Sequence, residues 1–592
     1  MLKEIVKGLK YGLTSNKFLI TSQWVLNAIN QATPLLFSII WAKLVDTAIN
    51  GIQNNSLTFS LMIIPFILYG VIELVRSLTG KLDDALQTVI YDKLELKIHT
   101  DVIQKYSSLD IQSLEDPEVN RLFQVIRESY EWRIRHLIFT FGKAISAFAI
   151  LGISSFILFR ISPLVMFIIV VSSIPSVLGK IKFGSIDWGI WHADADKFRK
   201  FNLTKDFLLN KDNLLEANIN NISPHLVGVI KEILSSYHQK RKPVIKKRFF
   251  LLILTDLIGI VGSIYSVYLL ITLALTGTIS IGSLILGSSI FLSFSSGLGT
   301  FLYEVTELYE SGLFMRDFNS FMSLKPRMSK GSILLEKLDT PPTIEFKNVS
   351  FTYPNTDKVV LKDIDLLIKP GMKVALVGEN GVGKTTLIKL LARFYMLDSG
   401  SIKINDQDLA DIDTESWEQN LGLLTQHFNT YPAFSVEENI YFGNVLKVFD
   451  KKDIIIAAQK ANVTGFVEKY KNKFKQILSI QFKDGIDPSW GQWQRLGIAR
   501  TLYRDAPVVI FDEPTSSIDA QAEYEIFENI NNSTKGKTVI YVSHRYSTVR
   551  NADLICVLKN GVIIESGNHR ELMSINGEYA KNFKLQASGY SD

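Results

Sequence analysis

Residues 378–385 read GENGVGKT, and this stretch decides the fold of the C-terminal half of the chain. The apolar run VALVG leads into it and the apolar run LIKLLARF follows it, which indicates a buried strand, a loop and a helix. In this context the stretch matches the phosphate-binding pattern G-x-x-x-x-G-K-[ST]. Its glycines let backbone N–H groups point at phosphate oxygens, and the helix adds the positive end of its dipole. The sequence therefore predicts an α/β domain that binds a nucleotide.

The polar residues of this loop have expected roles. Lys384 is expected to reach the β- and γ-phosphates of ATP, and the hydroxyl of Thr385 is expected to bind Mg²⁺. A chance glycine-rich turn is the alternative, which the strand–loop–helix context disfavours. The other residues of the loop that we expect to contact the nucleotide are Gly378, Asn380, Gly381, Gly383 and Thr386.

A pair of carboxylates follows another apolar run. Residues 506–519 read APVVIFDEPTSSID, and 508–511 are apolar enough for a central parallel strand. Asp512, at the end of this strand, can hold Mg²⁺ through water, and Glu513 is placed to orient and polarise an attacking water. The alternative is a purely structural pair of carboxylates at a strand end.

Three further candidates lie near the ends of predicted strands or before the loop. His544 ends the run TVIYVSH, and Gln426 follows the apolar residues of LLTQHF. Ligands gather at the carboxyl ends of parallel strands, so we expect His544 to contact the γ-phosphate rather than to be a structural histidine. Gln426 is expected to sense Mg²⁺ or the attacking water. Tyr353 precedes the loop by about 25 residues and can stack on adenine.

The N-terminal half of the chain has a different composition. The chain has 592 residues, too many for one compact domain, and 47% of them are hydrophobic. Its mean hydropathy is +0.16, which fits a mixture of membrane and soluble parts. A bilayer core requires about 20 mostly apolar residues per helix. The predicted spans are 18–44, 57–79, 137–159, 161–179, 249–276 and 281–302.

The basic residues of the connections predict how these spans are oriented. Residues 45–56 and 276–281 contain no Lys or Arg, and the short connection near 160 contains only Arg160, whereas 180–248 is rich in both. The positive-inside rule places 80–136, 180–248 and both termini in the cytoplasm. We therefore expect a multi-pass protein of the plasma (inner) membrane.

The two long cytoplasmic segments are expected to continue the membrane helices. Pro117 and the polar run at 207–221, FLLNKDNLLEANINN, mark where each long hairpin turns, and both turns are candidate coupling elements. Residues 1–17 read as an interfacial helix on the membrane surface, with a plain amphipathic helix packed on protein as the alternative.

Polar residues within the spans have two possible roles, a substrate cavity or interhelical hydrogen bonding. The residues concerned are Gln23, Asn27, Asn30, Gln31, Glu73, Arg76 and Asp256. The net charge of +5 gives no case for nucleic acid as a partner. The single cysteine, Cys556, excludes an internal disulfide framework and reads as a buried core thiol.

Taken together, the motifs resemble those of an ABC exporter half-transporter of the six-helix type over nearly the whole chain. The matching stretches are GENGVGKT, the Gln426 loop, VVIFDEP, SSID, YVSHR, ESGNHREL and, in the membrane half, LEDPEVNR. The resemblance implies a membrane α-helical bundle with long cytoplasmic extensions, followed by an α/β P-loop ATPase domain with a helical subdomain. It also implies ATP and Mg²⁺ as cofactors and a nucleotide contact from Asp519. We expect a transmembrane domain at 18–325, a linker at 326–343 and the ATPase domain at 344–592.

The signature segment of this family departs from its usual form. Leu-Ser-Gly-Gly-Gln of the family aligns here with PSWGQ, residues 488–492. Ser489 can cap the helix that follows and aim its dipole at an anion. Trp490 is then the first helical residue, which is tolerable if its side chain points away from the phosphate. We expect Ser489, Gly491 and Gln492 to contact a γ-phosphate, with a degenerate segment that makes no such contact as the alternative.

The resemblance implies that this segment serves the nucleotide of a partner subunit, so the working unit is expected to be a dimer. Glu513 and His544 are both present, which favours a homodimer, although a heterodimer is possible. The expected function is ATP-driven export by alternating access within membrane lipid. GQWQR is similar to exporters of lantibiotic-like peptides, which indicates a peptide substrate, and no peptidase domain fits before the first span, so leader cleavage is expected to need another protein. A multidrug or lipid exporter (flippase) is an alternative, and an ATP-gated regulator or channel is an alternative of another class.

Overall fold

The computed structural model describes residues 1–54, 59–127, 129–192, 195–514, 520–544 and 546–588. Within the helices, the side chains of 59–61, 177, 180–192, 195–196, 198, 520–524, 547–548 and 587–588 also lie outside the description. The chain forms two compact units. The first comprises Met1–Ser107 and Asn120–Leu324, and the second comprises Ser108–Val119 and Lys325–Asp592.

In its described residues, the first unit is built from helices. Their bounds are Leu2–Leu13, Lys17–Gln53, Phe59–Ser107, Pro117–Arg127, Tyr130–Ile161, Pro163–His192, Ala195–Leu209, Lys211–Ile219, Ser223–Leu275 and Ile281–Met322. Several are about twice as long as a bilayer requires, which confirms the expected extensions beyond the membrane. The chain turns through short helices at Pro117 and at 207–221, as predicted.

Five helices are long and apolar enough to cross a membrane within the described residues. They are Lys17–Gln53, Met62–Ser107, Tyr130–Ile161, Ser223–Leu275 and Ile281–Met322. The remaining predicted span, 161–179, corresponds to the helix Pro163–His192. The apolar stretch of this helix within the described residues, Pro163–Ser176, is shorter than the other five spans. The first part of the predicted span 57–79 lies outside the described residues.

Polar residues of the first span bond within their own helix or to the next helix, Phe59–Ser107. The amide of Gln23 donates to Asp83 Oδ1 at 3.0 Å, and that of Gln31 donates to Asn27 Oδ1 at 2.7 Å. The hydroxyl of Thr79 donates to Asn30. These contacts favour interhelical and intrahelical hydrogen bonding as the role of the polar residues on the first span.

The N-terminal helix packs on protein along part of its apolar face. Leu9 is buried, and a Cβ on Gly8 would lie 2.7 Å from the side chain of Leu137. Leu2 and Val6 remain exposed. The face that we predicted to lie on the membrane is therefore divided, with one part covered by the first unit and the other open.

The second unit contains two sheets. An antiparallel sheet has the strand order Val359–Ile368, Ile344–Thr352, Ser399–Ile404, Gln407–Asp408. The other sheet has the order Val562–Gly567, Leu554–Lys559, Lys373–Val377, Thr538–Val542, Val508–Asp512, Leu421–Leu424, and all of its pairs are parallel except the first. Cys556 is fully buried in this sheet as predicted, and burial raises the pKa of its thiol to about 12.

Helices cover this sheet and form a separate helical cluster. They are Ile111–Leu114, Lys384–Leu391, Thr414–Glu418, Val436–Tyr441, Lys451–Lys460, Thr464–Val467, a 3₁₀ turn at Lys473–Lys475, Trp490–Tyr503, Ala520–Ser533, Tyr546–Val549, His569–Ile575 and Glu578–Ser588. Apolar side chains of 436–503 form a core with the central strands. This architecture confirms the expected α/β ATPase domain with a helical subdomain.

The segment Ser108–Val119 belongs to the second unit although it connects helices of the first. The hydroxyl of Tyr395 donates to Glu115 Oε1 at 2.7 Å, and the backbone N–H of Met396 donates to Gln112 Oε1 at 3.3 Å. This is the segment that we identified, from the position of Pro117, as a candidate coupling element.

Candidate nucleotide-binding site

The loop 378–385 runs from a buried strand into the helix Lys384–Leu391. Gly378 has φ +146° and Gly383 has φ +106°, both in the region that favours glycine. A Cβ on Gly378 would lie 2.3 Å from the carbonyl oxygen of Leu558, and one on Gly383 would lie 2.5 Å from the side chain of Leu361. The loop therefore requires glycine at both positions. Gly381 has φ +79°, with open space where its Cβ would be, and Asn380 is exposed beside it.

Lys384 is held inside this loop. Its Nζ donates to the carbonyl oxygens of Gly378 at 2.8 Å and Glu379 at 2.7 Å, and the residue is 5% exposed. Burial lowers the pKa of Lys384, while the carboxylates of Glu513 and Asp512 act in the opposite direction. The loop thus holds an amine donor at its centre, where an oxyanion would sit if the loop cradled phosphate.

Thr385 and Asp512 lie side by side. The hydroxyl of Thr385 donates to Asp512 Oδ2 at 3.0 Å. Asp512 is buried, and its Oδ1 has no hydrogen-bond partner among the described residues. A hydroxyl next to an unsatisfied carboxylate oxygen is the kind of ligand set that Mg²⁺ uses, so these two residues fit such an ion. Burial raises the pKa of Asp512, and a bound cation would oppose that shift.

Glu513 connects the three predicted catalytic residues. The side-chain amide of Gln426 donates to Glu513 Oε2 at 3.0 Å, and His544 Nε2 contacts Glu513 Oε1. Glu513 itself has φ +51°, and its backbone N–H donates to the carbonyl oxygen of Val542 at 3.0 Å. The left-handed backbone turns its carboxylate out of the strand end, where the other two side chains meet it.

The sheet explains why these residues meet. Leu421–Leu424, Val508–Asp512 and Thr538–Val542 are parallel neighbours, so their carboxyl ends lie at one edge. Gln426 and His544 each follow the end of their strand by two residues. The prediction that Gln426, Glu513 and His544 lie together at the strand ends is therefore confirmed. Their roles in catalysis remain predictions.

Tyr353 reaches the start of the helix that follows the loop. Its hydroxyl is 3.0 Å from Thr386 Oγ1, and its ring meets that of Tyr395 edge to face with centroids 5.2 Å apart. Lys389 Nζ lies 5.4 Å from the centroid of the Tyr353 ring. The structure thus joins Tyr353 to the phosphate loop through Thr386. Asp519 lies outside the described residues.

The segment 488–492 begins a helix as predicted. Ser489 is the N-cap of Trp490–Tyr503, with its hydroxyl accepting from the backbone N–H of Gln492 at 3.4 Å. Gln492 Oε1 in turn accepts from the backbone N–H of Ser489 at 2.9 Å, which completes a capping box. In the described part of the chain, no hydrogen bond joins Ser489, Gly491 or Gln492 to the phosphate loop of the same chain.

Trp490 packs against an aromatic residue of the same chain, a contact that the sequence did not reveal. Its indole stacks on the ring of Phe428, with centroids 4.8 Å apart and planes 29° apart. Phe428 is buried, whereas Trp490 is 48% exposed. Phe428 follows Gln426 by two residues, so the stack ties the start of the signature helix to the loop that carries Gln426. A tryptophan where the family has a small residue was the only signal that such a partner must exist.

Trp490→Gly is expected to leave ATPase activity equal to or above that of the unchanged protein, because the stack holds the indole against Phe428. The apparent Tm of the purified protein should fall, since an aromatic pair contributes about 0.5–1.5 kcal/mol beyond its buried area. Trp490→Phe, which retains a ring, is the matched control. Complete loss of ATPase activity in Trp490→Gly, with activity kept in Trp490→Phe, would show that the aromatic ring has a positive role in turnover.

Comparisons with known proteins agree with this geometry. Residues 361–516 match the family model described as ABC transporter. The chain is 27% identical over 589 residues to the subtilin transport ATP-binding protein SpaT of Bacillus subtilis. The aligned region covers 98% of this chain and 94% of that protein. It is 38% identical over 243 residues to the ATP-dependent lipid A-core flippase of Coxiella burnetii, or 41% of this chain and 40% of that protein. The chain thus matches less than half of that flippase.

A solved structure shares the fold of the whole chain. The structure of a bacterial Atm1-family ABC exporter with ATP bound aligns with a TM-score of 0.75, over 96% of this chain and 98% of that chain. The sequences are 19% identical in this alignment. At this identity the likeness establishes the fold of an exporter, with a helical membrane region followed by a nucleotide-binding domain.

Proposed function

We propose that this chain, which is an ATP-hydrolysing ABC transporter with the exporter fold, exports a peptide across the plasma membrane as a dimer. The observation that carries the ATPase part of the proposal is the contact of Glu513 with both Gln426 and His544 at the sheet edge next to Lys384. A carboxylate held between an amide donor and an imidazole, beside a phosphate loop, is suited to orient and deprotonate water.

Each residue of the site has a separate role in the proposed hydrolysis. The backbone N–H groups of the glycine loop and the helix N-terminus bind phosphate oxygens, and Lys384 leaves its two loop carbonyls to donate to the β- and γ-phosphates. Glu513 accepts a proton from the attacking water, and His544 contacts the γ-phosphate. Thr385, Asp512 and Gln426 would hold Mg²⁺, which would offset the negative charge of the phosphates. Tyr353 stacks on adenine.

Dimerisation follows from the position of the signature helix. Each chain has one membrane region and one ATPase domain, and Ser489, Gly491 and Gln492 are available to contact the γ-phosphate held by a partner's loop. The capped helix start directs its dipole toward such an anion. Because Glu513 and His544 are both present, each site has its own base, which favours a homodimer over a heterodimer.

Peptide export is supported by the likeness to the subtilin transport protein over 98% of this chain. The positive-inside rule gives both termini to the cytoplasm, so hydrolysis and peptide capture occur on the same side. Closure of the ATPase domains on two ATP molecules is transmitted through segments such as Ser108–Val119, and the membrane helices then open outward.

A lipid or multidrug substrate is the second candidate, favoured by the 38% identity to a lipid A-core flippase. Inverted membrane vesicles that contain the protein should accumulate a labelled candidate peptide when ATP is present, and Glu513→Gln vesicles should not. Movement of a fluorescent lipid without peptide uptake would favour the flippase alternative. ATP-dependent leakage of the peptide down its gradient, without accumulation, would favour a channel.

A further inference from the structure

A cavity of about 320 Å³ lies within the first unit, between the three helices Pro163–His192, Ser223–Leu275 and Ile281–Met322. Its walls combine small polar side chains with apolar ones. The residues that matter for what it can bind are Ser173, Ser176, Asp256, Ser263, Phe291 and Leu298. This volume lies at the small end of the range for ligand pockets, so the cavity accommodates a group of side-chain size.

Among the described side chains that line this cavity, Asp256 is the only ionisable one. The hydroxyl of Ser176 donates to its Oδ1 at 2.9 Å, and within the described residues no basic side chain or amide bonds to its carboxylate. Two other carboxylates of the membrane helices differ in this respect. Asp83 accepts from two glutamine amides at 3.0 Å each, and Glu73 lies 3.7 Å from Arg76.

Three serine hydroxyls of the cavity each donate a hydrogen bond to a protein acceptor. Ser173 donates to the carbonyl oxygen of Ile169 at 2.7 Å, and Ser263 donates to that of Gly259 at 2.7 Å. With Ser176 donating to Asp256, the three hydroxyl oxygens are left as acceptors. These three side chains thus offer acceptors around one negative charge. An ammonium group, which has three donors and no acceptor, is the complementary ligand.

A carboxylate in a membrane helix is costly, and such residues usually face a cavity and mark a pathway for an ion or a substrate. Asp256 precedes the end of its helix at Leu275 by 19 residues, or about 28 Å at 1.5 Å per residue. With Leu275 at the outer surface, as in the proposed orientation, the carboxylate lies near the cytoplasmic edge of the hydrocarbon core, which is about 30 Å thick. That is the side from which an exported substrate enters.

We propose that this cavity binds a primary ammonium group of the transported substrate, with Asp256 as the counter-ion and Phe291 and Leu298 against its alkyl stem. A lysine side chain or the N-terminus of a peptide has this chemistry. The inference rests on the proposed export function and narrows its substrate class to cationic peptides.

The test uses the purified full-length protein in lipid nanodiscs and the fluorescent primary amine dansylcadaverine, with its neutral N-acetyl derivative as the matched probe. The unchanged protein is expected to bind the amine more tightly than the acetylated form. Asp256→Asn, which keeps the shape of the side chain, should raise the Kd of the amine at least tenfold and leave that of the acetylated probe unchanged. Asp256→Glu should retain most of the preference.

Two other variants serve as controls. One tests whether the cavity itself binds the probes, and the other tests whether loss of any carboxylate from a membrane helix affects binding. A Cβ on Gly259 would have no neighbour closer than 3.9 Å, so Gly259→Ala adds a methyl group to the cavity wall without a close contact and should weaken binding of both probes. Glu73→Gln should change neither Kd. The proposal is overturned if the unchanged protein binds both probes equally, or if Asp256→Asn binds the amine as the unchanged protein does.

Uptake of a lysine-containing peptide into inverted vesicles distinguishes this proposal from the proposed function. Uptake by the unchanged protein that Asp256→Asn lowers at least tenfold supports both. Uptake that Asp256→Asn leaves unaltered overturns the cavity assignment while export stands. If the amine binds with the expected dependence on Asp256 but no peptide is taken up with ATP, peptide export is wrong and the amine site stands.

Discussion

Glu513→Gln is expected to lower the kcat of ATP hydrolysis at least about 100-fold, which is the low end of what a general base contributes. The substitution keeps the size of the side chain and one acceptor oxygen for its neighbours. It removes the negative charge that polarises water, so the proton of the attacking water has no acceptor. Phosphate release by the purified protein in nanodiscs measures the effect, and binding of a fluorescent ATP analogue should persist.

The control for this substitution is Glu525→Gln, which removes an exposed carboxylate from the helix Ala520–Ser533 of the same domain. It should hydrolyse ATP at the rate of the unchanged protein. Because Gln426 and His544 both contact Glu513, their individual replacement should have smaller effects than that of Glu513. Full activity of Glu513→Gln would exclude Glu513 as the base, and His544 would then be the next candidate.

Lys384→Met is expected to weaken ATP binding at least about 30-fold. Truncating one partner of a buried, charge-assisted hydrogen bond costs about 2–5 kcal/mol, and about 1.4 kcal/mol corresponds to tenfold in Kd. Lys384 is buried and donates to two loop carbonyls, so its amine is already directed into the space that phosphate would occupy. Methionine retains the length of the stem but has no donor. Equilibrium titration with a fluorescent ATP analogue measures the Kd.

Lys362→Met is a matched control, since Lys362 is exposed on the strand Val359–Ile368 of the same domain. It loses one positive charge of the domain and should bind ATP normally. An unchanged Kd in Lys384→Met would mean that the glycine loop holds the nucleotide by its backbone alone. A change of equal size in both variants would mean that the net charge of the domain, not the position of Lys384, sets the affinity.

Local chemistry made much of the ATPase domain predictable from sequence. The loop 378–385 requires glycine for backbone reasons that hold wherever the loop occurs, and Ser489 caps a helix through atoms three residues apart. The strand-end candidates could also be grouped, since parallel strands bring their carboxyl ends to one edge. Residue type and short spacing were sufficient in these cases.

Contacts between distant parts of the chain were not predictable in this way. Phe428 precedes Trp490 by 62 residues, and no periodicity relates the two. Asp256 was visible as a polar residue in a span, but Ser176, the hydroxyl that bonds to it, comes from another helix. For Gln23, sequence alone left a cavity and hydrogen bonding equally possible, and its bond to Asp83 favours the second role.

The contacts of Ser108–Val119 have a practical consequence for work on isolated fragments. The hydroxyl of Tyr395 bonds to Glu115, and the backbone N–H of Arg327 donates to Asp110 Oδ2 at 2.7 Å. If residues 325–592 were produced alone, these two donors would be exposed to water, because the acceptors in Ser108–Val119 would be missing. A synthetic peptide with the sequence of 108–119, added in trans, would restore the missing acceptors, so nucleotide affinities measured without it describe an incomplete enzyme.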